Sequence, residues 1–213
     1  MKFLALLGFI LSMTVSAQTI DLKIPTEIYH NNEEPFLTHE GTGAFDNALA
    51  MNIIYAPVKN LRPQIEAAIG KKLDFFKAWN ADGEAHVSVV TPLEFNNVLK
   101  AKLSMKEINA IAERYDIQQA RLSLLGLGSA KAWIEGRLEE SYFLIVDSAG
   151  LRTIRQQIWY EFTRRGGDRS AFDPTWFFPH ITIGFTKRDL HEADGVLKNL
   201  KYTSDARFNL VIR

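Results

Sequence analysis

Two short stretches decide how this chain is read: Ala-His-Val-Ser-Val-Val at residues 85–90 and Pro-His-Ile-Thr-Ile-Gly-Phe at residues 179–185. In each, a histidine opens an alternating run rich in β-branched residues, the pattern of a half-buried strand. Residues two apart on a strand share a face, so His86 with Ser88, and His180 with Thr182, present an imidazole and a hydroxyl in one direction. Val87, Val89, Ile181, Ile183 and Phe185 then point into the core. A slip of one residue would bury both polar pairs there, so the alternation fixes the register.

Outward from these strands, the chain alternates strand and helix. Residues 51–57 form an apolar run ending at Pro57, read as a strand with Tyr55 on it. Leu61, Ile65, Ile69 and Phe76 recur at helical spacing after it. Thr91 and Ser104 begin capping boxes closed by Glu94 and Glu107, each opening a helix. Residues 121–127 and 140–146 are strands, with Gly126 and Gly128 marking a bend or a close approach to another backbone. Residues 148–165 make an amphipathic helix stopped by Gly166 and Gly167. Residues 189–200 are expected to be helical and 206–212 to be a closing strand. The interleaving of short strands with helices predicts an α+β fold with mixed, largely antiparallel sheets. Each half holds a strand, an amphipathic helix and a strand with a His-x-hydroxyl pair, an internal pseudo-duplication.

Residues 1–17 have one positive charge at Lys2, an apolar run and a small-residue end at Ala17, the layout of a secretory signal. The expectation is a secreted or periplasmic protein: signal peptide 1–17, a polar and irregular N-terminal extension 18–44 packing on the domain, and one domain over 45–213, with no membrane span in the mature chain and a monomeric state. There is no cysteine, which excludes disulfides, a lipoprotein anchor and thiolate sites. The 25 basic and 25 acidic residues cancel. No global basic field exists to grip a long nucleic acid, so any nucleotide partner should be a small nucleotide or short RNA.

Two imidazoles and two hydroxyls suit chemistry at a phosphodiester. A neutral imidazole takes a proton from water and an imidazolium gives one to the leaving oxygen, both near neutrality. The hydroxyls donate to the non-bridging phosphate oxygens. Two structural histidines, a non-catalytic nucleotide-binding module and an envelope protein that docks a partner through its extension are the competing readings. The i+2 partners are hydroxyls, not nitrogen or carboxylate, which argues against zinc. No Gly-x-Ser-x-Gly elbow occurs, and the glycines at 126 and 128 lack the rest of a dinucleotide motif.

With these residues the chain resembles the two-histidine (2H) phosphoesterases, which include RNA 2′,3′-cyclic phosphodiesterases and relatives of the 2′-5′ RNA ligases. The resemblance rests on His86-Val-Ser88-Val and Pro179-His180-Ile-Thr182-Ile-Gly184 and runs over about residues 51–213. It implies a bilobal fold with the site between lobes, no cofactor and no metal, catalytic His86 and His180, and a phosphate held by Ser88 and Thr182. Export and a serine in the first motif depart from the better-known members.

Near the site, Trp176, Phe177, Phe178 and Tyr55 are candidates to stack a base, or else to cap the core. Arg152, Arg155, Arg164, Arg165 and Arg169 are expected on the outer face of their helix. His191 is expected on a helix surface, and His30 and His39 are given no role.

Overall fold

The computed structural model describes residues 19–77 and 83–213. The predicted signal segment 1–17 lies outside the described residues, as does most of the predicted turn at 80–83. Seven strands and five α-helices are present among the described residues: β1 (Ile20–Ile24), β2 (Leu49–Asn52), α1 (Tyr55–Ile69), β3 (His86–Val90), α2 (Pro92–Asn97), α3 (Met105–Arg114), β4 (Ser123–Ile134), β5 (Arg137–Asp147), α4 (Ala149–Arg164), β6 (His180–Phe185), α5 (Leu200–Thr203) and β7 (Phe208–Ile212). They form a mixed α+β structure with antiparallel ladders β2-β3 and β4-β5-β6 and a parallel pair β1-β7.

The predicted alternation sets the motif strands. Val87, Val89, Ile181 and Ile183 are buried in the main core with Val58, Leu61 and Ile65 of α1 and Leu151, Ile154 and Ile158 of α4. Both capping boxes form, at Thr91/Glu94 and Ser104/Glu107. α4 ends at Arg164 before Gly166 (φ +78°). The β4–β5 hairpin turns on Glu135 and Gly136, both at positive φ, the two-residue geometry whose twist matches the flanking strands.

Four expectations are corrected. Within the predicted extension, the described residues 19–44 are not simply irregular: β1 pairs with β7 from Ile20↔Phe208 to Ile24↔Ile212, with Leu22 and Ile24 fully buried. Buried Asn31 donates to the Gln118 and Ala120 carbonyls, while Gln118 Nε2 donates back to the Asn31 carbonyl at 2.8 Å, so the segment is stitched into the domain. Tyr55 starts α1 rather than standing on a strand. Residues 189–200 are not a helix; Gly195 adopts φ +79° after a single 3-10 turn at Glu192–Asp194. Arg155 is not on a solvated face but is 1% exposed.

The two motif strands belong to different ladders, and the arginines explain how they still approach. Arg62 of α1 donates from Nε to the Ile183 carbonyl of β6 at 3.0 Å. Arg155 of α4 donates from Nη1 to the Val89 carbonyl of β3 at 2.7 Å. Both carbonyls lie three residues after a motif histidine, and each helix thus satisfies an acceptor that the other motif strand leaves outside its ladder. An unmade bond at either buried carbonyl would cost about 1–3 kcal/mol.

Away from the motifs, Glu140 is buried and accepts from Lys71 Nζ (2.7 Å) and the Tyr142 hydroxyl (2.8 Å). Burial alone would raise its pKa, but these bonds and Lys131 bring it down to about 2. Its ionised form therefore contributes stability that is complete above the ordinary value of 4.5 and is lost as pH falls towards 2. Glu140→Gln should flatten the acid side of a plot of melting temperature against pH; an unchanged acid limb would contradict this.

Candidate active site

His86 opens β3, opposite Asn52 of β2. Its ring stacks on Phe76 at 5.6 Å, and its Nδ1 lies 3.5 Å from Glu84 Oε1. Ser88, two residues on, is half-buried, and among the described residues its hydroxyl has no hydrogen-bond partner, which leaves its proton available to a ligand. His39, given no role from sequence, sits close enough for its imidazole to be affected by this group: burial, then the charge of His86, lowers its pKa, while Glu84 raises it.

His180 opens β6, opposite Ile145 of β5, and Thr182 lies opposite Phe143. The Phe143 ring meets His180 edge-on at 5.7 Å. Gly128 of β4 makes that possible: a Cβ there would stand 2.2 Å from the Phe143 ring, so the close approach is to a side chain rather than to another backbone. Ala130, Phe143 and Ile145 pack with Leu190 and Val196 in a second, smaller cluster. That cluster lays the segment after β6 over the face bearing His180 and Thr182.

The segment delivers two residues that the sequence reading left out. Asp189 and Lys198 are each 4% exposed and form an ion pair of 2.6 Å. Lys198 Nζ also lies 3.1 Å from His180 Nε2, and Thr182 Oγ1 donates to Asp189 Oδ2 at 2.9 Å. Asp189 Oδ1 accepts from the Leu190 backbone N–H. His180 Nδ1 is 2.9 Å from the Phe178 carbonyl, which can only accept, so the proton is on Nδ1 and the Nε2 lone pair faces Lys198. Burial, reinforced by the Lys198 charge, holds the His180 pKa well below the ordinary 6.5, although Asp189 and the Phe178 carbonyl act in the other direction. His180 is thereby kept as a neutral imidazole.

A cavity of about 360 Å³ is walled by Phe45, Phe76 and Phe185 and by Lys187, Arg188, Asp189 and His191; the motif histidines and hydroxyls are not among its walls. Phe76 is the ring on which His86 stacks, and Asp189 is the acceptor of Thr182, so the walls touch a neighbour of each motif. His191 precedes a 3-10 turn and lines this cavity instead of standing on a helix. The predicted stacking aromatics do not line it. Phe177 is buried in the main core, Trp176 donates to Glu192, and Phe178 meets Trp176 edge-on. The Tyr55 hydroxyl accepts from Arg62. The aromatic walls come instead from Phe45, from Phe76, which lies beyond the end of α1 at Ile69 rather than on its stripe, and from Phe185, which the alternation assigns to the core. Among the described residues no group of three His, Cys, Asp or Glu side chains could hold a metal ion, and no helix is long and apolar enough to cross a membrane.

Two histidine–hydroxyl strands, carried on antiparallel ladders with their apolar residues in a common core, define a phosphoesterase of the two-histidine class. Residues 47–191 match the family model described as "Swiss Army Knife, 2H phosphoesterase domain" (2H-SAK), and the chain belongs to that family. Comparisons with curated proteins and with solved structures give no match.

Proposed function

We propose that the protein hydrolyses a phosphodiester of a small nucleotide or RNA end, of the cyclic or 2′-5′ type, by metal-independent general acid–base catalysis. The observation that carries this reading is the different setting of the two motif imidazoles, His180 buried against Lys198 and the Phe178 carbonyl and His86 beside Glu84. His180 is held neutral, with Nδ1–H fixed on the Phe178 carbonyl and a lone pair on Nε2, the form that takes a proton from attacking water. His86 has the Glu84 carboxylate 3.5 Å from its Nδ1, a neighbour that can orient the ring with Nε2 towards the departing ester oxygen. The pairing gives the base role to His180 and the acid role to His86. The Ser88 hydroxyl is available to a non-bridging oxygen, and the apolar, aromatic cavity offers stacking for a base.

The layout of residues 1–17 supports export, so we place this activity in the periplasm or outside the cell. Turnover of 2′,3′-cyclic nucleotides and short 2′-5′-linked or cyclic-phosphate-ended RNAs, measured in EDTA, tests the reading. Hydrolysis of one of them is expected; binding without hydrolysis across the whole panel would leave a nucleotide-binding module instead. The pH profile supplies a further check. Since His180 must be neutral to act and its pKa lies below 6.5, the acid limb of kcat/KM should fall below that value. An acid limb at or above it would remove the base role from His180.

A further inference from the structure

Lys198 stands outside the matched family segment, which ends at residue 191, and outside the motif pairs, yet it is the buried cation nearest to a motif histidine. Its side chain is 3% exposed. Taking an ammonium out of water costs several kcal/mol, and one carboxylate seldom compensates fully. The arrangement around it is specific. One N–H goes to Asp189 Oδ2 at 2.6 Å and one to His180 Nε2 at 3.1 Å. An ammonium has a third N–H; among the described residues it finds no further oxygen or nitrogen acceptor, only the face of the Phe143 ring, 4.9 Å from Nζ. Asp189, for its part, is filled: Oδ2 takes both Lys198 and Thr182, and Oδ1 takes the Leu190 N–H.

Two consequences follow for a bound phosphate. The Thr182 hydroxyl proton is directed at Asp189, and with Thr182 only 9% exposed this oxygen is poorly placed to donate to a ligand as well. The His180 lone pair that must accept the water proton is covered by Lys198. Both difficulties are resolved by one movement of the lysine terminus.

We infer that Lys198 is the phosphate-binding cation of this site: a phosphate oxygen draws its ammonium away from His180 Nε2 while Asp189 keeps hold of it, and the base is uncovered only when substrate is present. The ammonium then faces the non-bridging oxygens, where negative charge grows in the transition state. Thr182 acts one step back, helping Asp189 to hold the lysine. Through charge at its neighbour, Lys198 also keeps His180 neutral until it is needed. This inference rests on the proposed phosphoesterase reading only for its catalytic half; the binding half stands without turnover.

The test uses the mature protein and inorganic phosphate as probe, followed by the imidazole resonances of His180. Wild type should bind phosphate with a change at Nε2 as the lysine departs. Lys198→Met should weaken phosphate binding about 10- to 100-fold, the worth of a charge-assisted hydrogen bond, and raise the pKa of His180. Lys201→Met, an exposed lysine on α5, should change neither. If Lys198→Met does not fold, Lys198→Gln, which can still donate to Asp189, carries the same comparison. Phosphate affinity within twofold of wild type in a folded Lys198 variant, or no phosphate binding by wild type, would overturn the inference. Lysine-dependent phosphate binding with no phosphodiester hydrolysed would instead overturn the proposed function and leave this one standing.

Discussion

His180→Ala is expected to lower kcat by about 10²- to 10⁴-fold on any phosphodiester the protein hydrolyses, the span that one positioned acid or base contributes. His86→Ala should fall in the same range. The two losses should not add in the double variant, since neither half of a concerted proton transfer retains its value when the other is absent. KM should change little in His86→Ala, whose imidazole is proposed to serve the leaving oxygen, and more in His180→Ala, whose removal takes away a partner of Lys198. Initial rates in EDTA against substrate concentration, with circular dichroism to confirm folding, read both effects. Either single variant turning over at the wild-type rate would end the two-histidine assignment. Glu84→Gln is a milder companion: it keeps a hydrogen-bond acceptor near His86 Nδ1 but removes the charge, and a loss of about tenfold, confined to kcat, is expected of a residue that orients the acid.

The strands carrying this chemistry were legible because a period of two leaves little choice when one face holds Val87 and Val89 or Ile181 and Ile183. The helices after Thr91 and Ser104 were legible because their capping residues act locally. β1 has the same alternation, in Ile20, Leu22 and Ile24, but its partner is β7 at the far end of the chain, so no local signal separated it from the polar stretch that follows. The segment 189–200 misled because scattered apolar residues resemble a helical stripe, whereas Leu190 and Val196 reach the second cluster around a left-handed Gly195. Lys198 could not have been found in this way. In sequence it differs in no respect from exposed Lys201, and only the return of Asp189 across the face of β6 distinguishes them.

Arg155 was misread for a different reason, since its position did carry information. On α4 it falls four residues after Leu151 and three before Ile158, both fully buried, and so lies on the apolar stripe. Arg62 stands likewise between Val58 and Ile65 on α1. A long cation on a buried stripe should have been read as a clasp for backbone acceptors rather than as a solvated charge. The two arginines are equivalent in this, each reaching the carbonyl three residues after the opposite histidine.

Arg155→Met accordingly has the largest expected effect on stability. The guanidinium donates to the carbonyls of Val89, Pro174, Asp173 and Trp176 and pairs with Glu94 Oε1 at 2.9 Å. It thereby ties β3 to the loop that delivers His180. Methionine fills much of the same volume but leaves several of these acceptors without a donor, and removing one partner of a buried charged network costs about 3–5 kcal/mol. That is a large share of the roughly 5–15 kcal/mol that stabilises a typical domain. Glu94→Gln should cost far less, because Glu94 is partly exposed and the Val89, Asp173, Pro174 and Trp176 bonds survive. Equilibrium unfolding in urea separates the cases: a midpoint shift at constant slope reports stability. An unfolding free energy of Arg155→Met within about 1 kcal/mol of wild type would show that the clasp does not hold the motif strands. Activity below the level explained by the unfolded fraction would show that it also sets their spacing, because the Val89 carbonyl lies on the strand that carries His86 and Ser88.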